Sequence, residues 1–219
     1  MNRRDFLKTT LAAAAGGAMF GGLRLTGARA AEAAPAGDGV KKKILIITGS
    51  PRAHGNSNTL ADEFTRGARA AGHEVVRFDA GLKNVRPCTA CNHCGMQGEC
   101  ILDDDDFPFV REHIATSQAV LFVSPVYYYT ISAQLKAVID RFYAINGTVH
   151  DRKRSAFILT LANSDMERVQ PIIDYFRKGL YDYLGWEYAG HVVGTGLWPA
   201  GAVNGTRFMD EAYRLGQNI

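Results

Sequence analysis

The sequence lacks the short motifs that identify several large enzyme classes. It contains neither a G-x-x-x-x-G-K-[ST] phosphate loop nor a G-x-G-x-x-G dinucleotide fingerprint. A G-x-S-x-G nucleophile elbow is also missing, and no two histidines have the H-E-x-x-H spacing. Serine-hydrolase and zinc-protease chemistry are therefore disfavoured. Internal repeats are missing too, so a solenoid or propeller is not expected.

The sequence also lacks an apolar run that would stay in a membrane. The weakly apolar stretch 9–23 is mostly alanine and glycine, and it follows the twin arginines Arg3 and Arg4. Ala28 and Ala30 are small residues suited to a cleavage site. These features predict a twin-arginine export signal over residues 1–30, a linker over 31–40, and a periplasmic protein.

Without this signal the chain has no excess of positive charge. Five of the 25 Lys and Arg residues and one of the 22 Asp and Glu residues lie in the first thirty positions. The remainder therefore has a formal charge near −1, and neither nucleic acid nor an anionic membrane is an expected partner. The twin-arginine route exports folded proteins, often with cofactors inserted, which is consistent with a cofactor-containing protein.

Five short apolar segments alternate with helical patterns over residues 41–219. The predicted strands are Ile44–Ile47, His73–Asp79, Gln118–Ser124, Ser155–Leu161 and Tyr188–Val193. Helices are predicted from about residue 57 and over 107–117, 131–145, 164–184 and 204–215. This alternation predicts an α/β domain with a five-stranded parallel sheet in the order 2-1-3-4-5. A ligand is then expected at the carboxyl ends of strands one and three.

The loop after the first strand has the composition of an anion site. It reads GSPRAHGNSNT and leads into a helix for which Ser57, Asn58 and Thr59 are the candidate N-caps. The first N–H groups of a helix have no partner within it, and the helix dipole is positive there. Several hydroxyls and one arginine suit a terminal monophosphate, as in FMN, better than a pyrophosphate. The candidate residues are Ser50, Arg52, Asn56, Ser57, Asn58 and Thr59. The alternative is an ordinary connection with a good cap.

All four cysteines lie within thirteen residues, in the pattern C-x2-C-x2-C-x5-C. They are Cys88, Cys91, Cys94 and Cys100. This spacing lets thiolates converge on one [4Fe–4S] cluster. Two disulfides, a zinc site with His93 as a possible ligand, and free thiols remain alternatives. The acidic run 103–106 that follows is interpreted as a solvated helix start.

Three tyrosines follow the third predicted strand, in the sequence SPVYYY at 124–129. Aromatic rings in such a loop can cover a flat ring system, and backbone N–H groups can bond its polar edge. The alternative is that the tyrosines pack on the next helix or at a dimer interface. The loop after the fourth strand should face the same crevice, which makes Asn163 a further candidate.

Two of these segments resemble the signatures of the NADPH-dependent FMN reductase family, which is flavodoxin-like. They are G-S-P-R-x-x-G-N-S at 49–57 and S-P-V-Y at 124–127, the latter followed by L-K-x-x-I-D-R at 135–141. The cysteine spacing followed by Asp-Asp resembles the iron–sulfur flavoprotein branch of that family. The resemblance covers roughly residues 43–194. It implies a flavodoxin-like three-layer sandwich over 41–219, with a cysteine-rich insertion at 87–102.

The resemblance also implies roles for particular residues. It places the isoalloxazine ring of FMN against Pro125, Val126, Tyr127 and Tyr128. It implies a [4Fe–4S] cluster held by Cys88, Cys91, Cys94 and Cys100.

The resulting expectation is an FMN-dependent oxidoreductase in which no protein side chain acts as a catalytic acid or base. The family name implies NAD(P)H as the electron donor, whereas an exported member can instead use a quinol, a cytochrome or another redox protein. An exported, non-catalytic electron carrier is the alternative, and a flavin-free metal-binding module is a third possibility. Family members form dimers and tetramers, so a homodimer or homotetramer is expected.

Overall fold

The computed structural model describes residues 39–219. The predicted export signal and residues 31–38 of the predicted linker lie outside the described residues. The strands of the described part are β1 Lys43–Thr48, β2 Glu74–Asp79, β3 Ala119–Tyr127, β4 Thr130–Ile131, β5 Arg154–Thr160 and β6 Glu187–Gly194. Its α-helices are α1 Asn56–Ala70, α2 Phe107–Thr116, α3 Ala133–Asp140, α4 Asn146–Val149, α5 Gln170–Asp174, α6 Asp182–Leu184 and α7 Arg207–Asn218. Single 3-10 segments cover Ala80–Leu82 and Arg141–Ile145, and a π-helical segment, Tyr175–Tyr181, joins α5 to α6.

The five long strands form one parallel sheet in the order β2-β1-β3-β5-β6. This is the order expected from the sequence, with the five parallel strands counted along the chain. The short strand β4 is a sixth strand that the sequence analysis missed. β3 continues past Pro125, which was predicted to begin a loop, because its end pairs antiparallel with β4. The partners are Val126 with Ile131 and Tyr127 with Thr130.

Helices cover both faces of the sheet, so the domain has three layers. In β1, Ile44 and Ile46 belong to the core that contains residues of α1 and α7. Leu45 and Ile47 belong to the opposite core, which contains residues of α2 and α3. A strand buried on both faces needs apolar side chains at every position, which explains the unbroken run in the sequence.

Several helix boundaries differ from the predicted ones. Helix α1 begins at Asn56 with Gly55 as its N-cap, so Ser57, Asn58 and Thr59 lie in its first turn rather than at the cap. The glycine takes the extended cap conformation itself, with φ −81° and ψ 162°, and no side chain caps the helix.

The remaining predicted helices start later or end earlier than expected. The segment 131–145 begins as strand, and its α-helix starts at Ala133 because Ser132 accepts a hydrogen bond from the N–H of Leu135. It ends at Asp140, and a 3-10 segment follows. The segment 164–184 first forms a turn, in which the Asp165 carboxylate accepts the N–H of Glu167, so α5 starts only at Gln170. No helix of residues 39–219 is long and apolar enough to cross a bilayer.

Candidate functional site

The loops after β1 and β3 are tied together at the carboxyl edge of the sheet. The N–H of Gly49 donates to the carbonyl of Val123 at 2.8 Å. The hydroxyl of Ser132 donates to the carbonyl of Gly49, also at 2.8 Å. The N–H of Ser132 in turn donates to the Ser124 hydroxyl at 2.9 Å. These bonds fix the two loops on which the predicted flavin residues lie.

The loop between β1 and α1 is compact and held by its own atoms. Ser50 is buried, and its hydroxyl accepts the N–H of Arg52 at 3.3 Å. The carbonyl of Arg52 accepts the N–H of Gly55 at 3.0 Å and the side-chain amide of Asn58 at 2.9 Å. The Arg52 side chain is exposed. Within the described part of the chain, the N–H groups of Asn56, Ser57 and Asn58 make no hydrogen bond.

The predicted phosphate residues on α1 differ in what their side chains contact. The amide of Asn56 donates to the carbonyls of Leu197 and Pro199, at 3.2 and 2.8 Å, so it ties α1 to the loop after β6. The hydroxyl oxygens of Ser57 and Thr160 are 2.6 Å apart, which joins α1 to the end of β5.

Two other predicted residues lie in the same turn of α1. The Thr59 hydroxyl donates to the carbonyl of Gly55 at 3.2 Å. Asn58 is buried, and its side-chain oxygen has no hydrogen-bond partner among the described residues. A buried oxygen without a hydrogen-bond donor destabilises the fold. Such an atom is therefore expected where a ligand supplies the donor.

The three tyrosines form the tip of a tight hairpin between β3 and β4. Tyr128 and Tyr129 have φ values of 46° and 60°, and they connect the paired residues Tyr127 and Thr130. Two-residue hairpin connections with both φ values positive favour glycine and asparagine, because a side chain is strained there. Both tyrosines are exposed, whereas Pro125 is buried. Strained, exposed aromatic residues at the edge of a sheet are typical of binding sites.

The loop after β5 approaches this hairpin. The side-chain oxygen of Asn163 accepts the N–H of Asp165 at 2.9 Å, and its carbonyl accepts the N–H of Gly196 at 3.3 Å. The guanidinium of Arg168 lies 5.3 Å from the ring centre of Tyr129. The structure therefore brings the predicted residues on the loops after β1, β3 and β5 to one edge of the sheet.

The four cysteines line one cavity on the segment between the first 3-10 turn and α2. They share this cavity, which is partly open to solvent, with Arg141 and Tyr143. All four are free thiols. The N–H of Ala90 lies 3.4 Å from the Cys88 sulfur. Among residues 39–219, no three His, Cys, Asp or Glu side chains are close enough to hold a single metal ion.

Comparison with known proteins identifies the family of the chain. The sequence profile of the NADPH-dependent FMN reductase family matches residues 42–171. The chain belongs to this family. It is therefore a flavin-dependent oxidoreductase that uses FMN, as the sequence analysis predicted. The profile of the twin-arginine translocation signal matches residues 1–20, so export by that route is confirmed as well.

Relatives of this FMN reductase family member include proteins named for both cofactors. An iron–sulfur flavoprotein of Archaeoglobus fulgidus is 30% identical over 179 residues, which cover 81% of this chain and 78% of that protein. A protein of Bacillus subtilis named as a putative NAD(P)H-dependent FMN-containing oxidoreductase is 23% identical over 184 residues. These residues cover 79% of this chain and 96% of that protein.

Solved structures agree on the fold. The NAD(P)H:quinone oxidoreductase of Methanothermobacter marburgensis superposes with a TM-score of 0.69 at 18% identity. The superposition covers 82% of this chain and 96% of that one. At this identity the likeness confirms the flavodoxin-like α/β fold alone.

Sequence reasoning missed several residues around the candidate site. Thr160 and Ser132 connect loops there. In the sequence they are recognisable only as hydroxyl residues, Thr160 at the end of a strand and Ser132 just before a helix. Arg141 ends the L-K-x-x-I-D-R segment, and no binding role was predicted for it, yet its side chain is 1% exposed and lines the cysteine cavity. An arginine inside an apolar helical stripe could have indicated a buried cation.

Proposed function

We propose that this chain is an exported FMN-dependent oxidoreductase with two redox centres. FMN is held by the loops after β1, β3 and β5, and a [4Fe–4S] cluster is held by the four cysteines. The observation that carries this proposal is that four free cysteines face one cavity on a domain of the FMN reductase family.

The β1–α1 loop fits the phosphate of FMN. The N–H groups of Asn56, Ser57 and Asn58 make no hydrogen bond within the described residues, and the helix dipole favours an anion beside them. The exposed Arg52 supplies a full positive charge next to them. Ser50, Ser57 and Thr59 contribute mainly by holding the loop, because their hydroxyls contact Arg52, Thr160 and Gly55.

The hairpin and the loop after β5 fit the ring of FMN. Pro125 and Val126 form the inner part of the hairpin, while Tyr127 and Tyr128 expose their rings. We assign these four residues and Asn163 to ring binding. Asn56 acts indirectly, since its amide holds the loop after β6 against α1.

The cysteine loop can supply the four thiolate ligands of a [4Fe–4S] cluster. All four thiols line one cavity, although no three ligating side chains of the described residues form a preformed metal site. Positive φ values at Ala90, Asn92 and Met96 turn the backbone sharply between the cysteines. Such turns direct successive N–H groups to one side, as in many iron–sulfur sites.

When both groups are bound, FMN exchanges one or two electrons and the cluster exchanges single electrons. The protein can therefore connect a two-electron donor with a one-electron partner. NAD(P)H, a quinol or a redox protein is the proposed donor, in a periplasmic homodimer or homotetramer. The residues of this chain bind and orient the cofactors, and none is assigned as a proton donor or acceptor.

Binding of FMN and riboflavin to the flavin-free protein tests the phosphate site. The Arg52→Ala substitution should raise the Kd for FMN about tenfold, since a hydrogen bond to a charged group contributes about 1.5 kcal/mol. Affinity for riboflavin, which has no phosphate, should not change. Arg69→Ala at the other end of α1 is the matched control. An equal loss for both ligands would contradict the phosphate assignment.

Iron and acid-labile sulfide in anaerobically purified protein test the cluster. We expect about four of each per chain and a broad visible absorbance beyond that of the flavin. Cys91→Ser should remove the iron, the sulfide and the additional absorbance. His93→Ala should leave all three unchanged. Zinc without sulfide would refute the cluster proposal and leave the flavin assignment standing.

Steady-state turnover separates the enzyme from the electron carrier. The enzyme should reduce quinone or FMN repeatedly with NADH, NADPH or a quinol. A carrier would accept electrons only in proportion to its own cofactors.

A further inference from the structure

The cysteine segment leaves and re-enters the domain at two stems that lie beside one buried arginine. The first stem is Arg86, two residues before Cys88, and the second is Leu102, two residues after Cys100. The guanidinium of Arg141 donates to both stems. Its Nη1 donates to the carbonyl of Arg86 at 3.1 Å, and its Nη2 donates to the carbonyl of Leu102.

Asp105 completes this contact. Its Oδ2 accepts Nη1 of Arg141 at 2.8 Å and the N–H of Arg86 at 2.9 Å. Its Oδ1 accepts the N–H of Phe107, the first residue of α2, at 3.0 Å. The two charged side chains are 1% and 0% exposed, so solvent does not weaken the pair. One guanidinium and one carboxylate thus bind the backbone of both stems and the start of α2.

The cysteine loop has few other contacts with the domain. Asn84 and Asp106 exchange two hydrogen bonds at its base, and Arg111 of α2 donates to Glu99. Residues 83–106 contain no helix or strand, and most residues from 87 to 100 are exposed. Ala90, Asn92 and Met96 have positive φ values, which non-glycine residues rarely adopt without support from their surroundings. One such support comes from Tyr143, whose hydroxyl donates to the Asn92 side chain at 2.7 Å. Tyr143 and Arg141 lie on the same 3-10 segment, Arg141–Ile145.

We infer that Arg141, paired with Asp105, is a positioning residue that closes the base of the cysteine loop. By holding Arg86 and Leu102 together it keeps Cys88 and Cys100, the first and last cysteines, on one cavity before a cluster is bound. Arg141 also lines that cavity, so it places a positive charge beside the ligands. The inference rests on the proposed cysteine site.

Amide hydrogen exchange in the metal-free full chain tests the positional role. Arg141→Lys retains the charge but replaces a planar fork of donors with a single ammonium, which cannot serve both stems with the same geometry. We expect exchange of the hydrogen-bonded amides in residues 86–102, among them those of Arg86, Gly95 and Gln97, to rise at least tenfold. The strands of the sheet should keep their protection. The double variant Arg141→Gln with Asp105→Asn, which leaves neither charge buried alone, should show the same local effect.

Arg154→Gln is the matched control. Arg154 is also a buried arginine with an acidic neighbour, Glu187, but it lies at the start of β5 and, within residues 39–219, makes no bond to the cysteine segment. Its loss should leave exchange of residues 86–102 unchanged. Unchanged exchange in both Arg141 variants, or an equal rise in the Arg154 variant, would overturn the inference.

Anaerobic cluster reconstitution provides the second measurement. Arg141→Lys and the double variant Arg141→Gln with Asp105→Asn should each bind less than half the iron and sulfide of the wild type. In the fraction that is loaded, Arg141→Lys should keep the reduction potential of the cluster, and the single variant Arg141→Gln should lower it, because a nearby cation favours the more negative reduced form. Equal loading and equal potentials in all variants would contradict the role of Arg141.

A wild type that binds no iron or sulfide would refute the proposed cluster and not the loop closure. The exchange measurement on metal-free protein still decides whether Arg141 holds the stems.

Discussion

Asp105 is a buried carboxylate whose protonation is coupled to the folding of the chain. Burial alone would raise its pKa. The N–H groups of Arg86 and Phe107 and the guanidinium of Arg141 outweigh that effect, so the pKa of Asp105 lies below its usual value of 3.8. A carboxyl group whose pKa is lower in the folded state stabilises the fold above its unfolded-state pKa.

This predicts a specific acid sensitivity. The contribution of the Asp105 carboxylate to the free energy of unfolding should be complete above about pH 5. It should decline as the pH falls through 3.8 toward the folded-state pKa of Asp105. Asp105→Asn should cost about 3 kcal/mol at pH 7, because it leaves the Arg141 cation buried without its counter-ion. Urea unfolding of both proteins between pH 3 and 7 measures the difference, which should shrink at the acid end. A difference that is constant with pH would contradict the assignment.

At the scale of single elements, the β3–β4 hairpin keeps two tyrosines in a conformation that other residues adopt more easily. Tyr128→Asn combined with Tyr129→Gly supplies the residues preferred by this turn. We expect the flavin-free protein to become more stable by about 1 kcal/mol, since the left-handed conformation strains a larger side chain by about that much.

The same double substitution should weaken FMN binding if Tyr128 contacts the ring. Unfolding in urea and FMN titration give the two quantities. Tyr183→Asn removes another exposed tyrosine, on α6, and should change neither FMN affinity nor turn strain. Lower stability of the hairpin variant would show that the tyrosines pack rather than strain the turn.

Helices α1 and α7 cross at glycines that admit no side chain. A Cβ atom on Gly67 would lie 1.9 Å from the carbonyl oxygen of Tyr213, and one on Gly216 would lie 2.1 Å from that of Phe64. Gly67→Ala should therefore lower the free energy of unfolding by about 2 kcal/mol or more, because backbone must move to make room. Gly147→Ala in α4, where a Cβ meets no atom within 4 Å, should be neutral or stabilising. Thermal unfolding of the two variants checks the contrast.

The strands and their order were predictable from the sequence because burial on both faces imposes a composition. A short, β-branched run such as Ile44–Ile47 that ends at glycine and proline is typical of a strand in a parallel sheet. The turn at Tyr128 and Tyr129 was not predictable, since its conformation depends on the pairing of Val126 with Ile131 rather than on local preference. The start of α1 was displaced because Gly55 takes the cap conformation that a hydroxyl residue usually takes.

The candidate site was predictable in part for a similar reason. Loops that follow strands in a parallel sheet must meet at its carboxyl edge, so Ser57, Tyr128 and Asn163 could be grouped before the structure was known. The role of Arg141 could not be predicted, because its partners Arg86 and Leu102 are 55 and 39 residues away along the chain. A buried cation is recognised only when its acceptors are known.

At the scale of the whole molecule, the export signal and the FMN reductase domain occupy separate parts of the chain. The family profile begins at residue 42 and β1 at Lys43, whereas the export signal matches residues 1–20. The strands of the sheet and the proposed cofactor residues therefore all lie after residue 42. We propose that residues 1–38 act only as an export signal and a linker.

Replacing both arginines of the export signal tests this separation. Arg3→Lys combined with Arg4→Lys keeps the charge but removes the pair that the transport receptor reads. The variant should stay in the cytoplasm, bind FMN with wild-type affinity and unfold at the wild-type temperature. Arg24→Lys, which changes one arginine elsewhere in the predicted signal, should still be exported. Cell fractionation followed by flavin analysis measures both properties. Loss of FMN in the retained variant would mean that residues 1–38 contribute to the cofactor site, because blocked transport alone leaves the sheet and its loops intact.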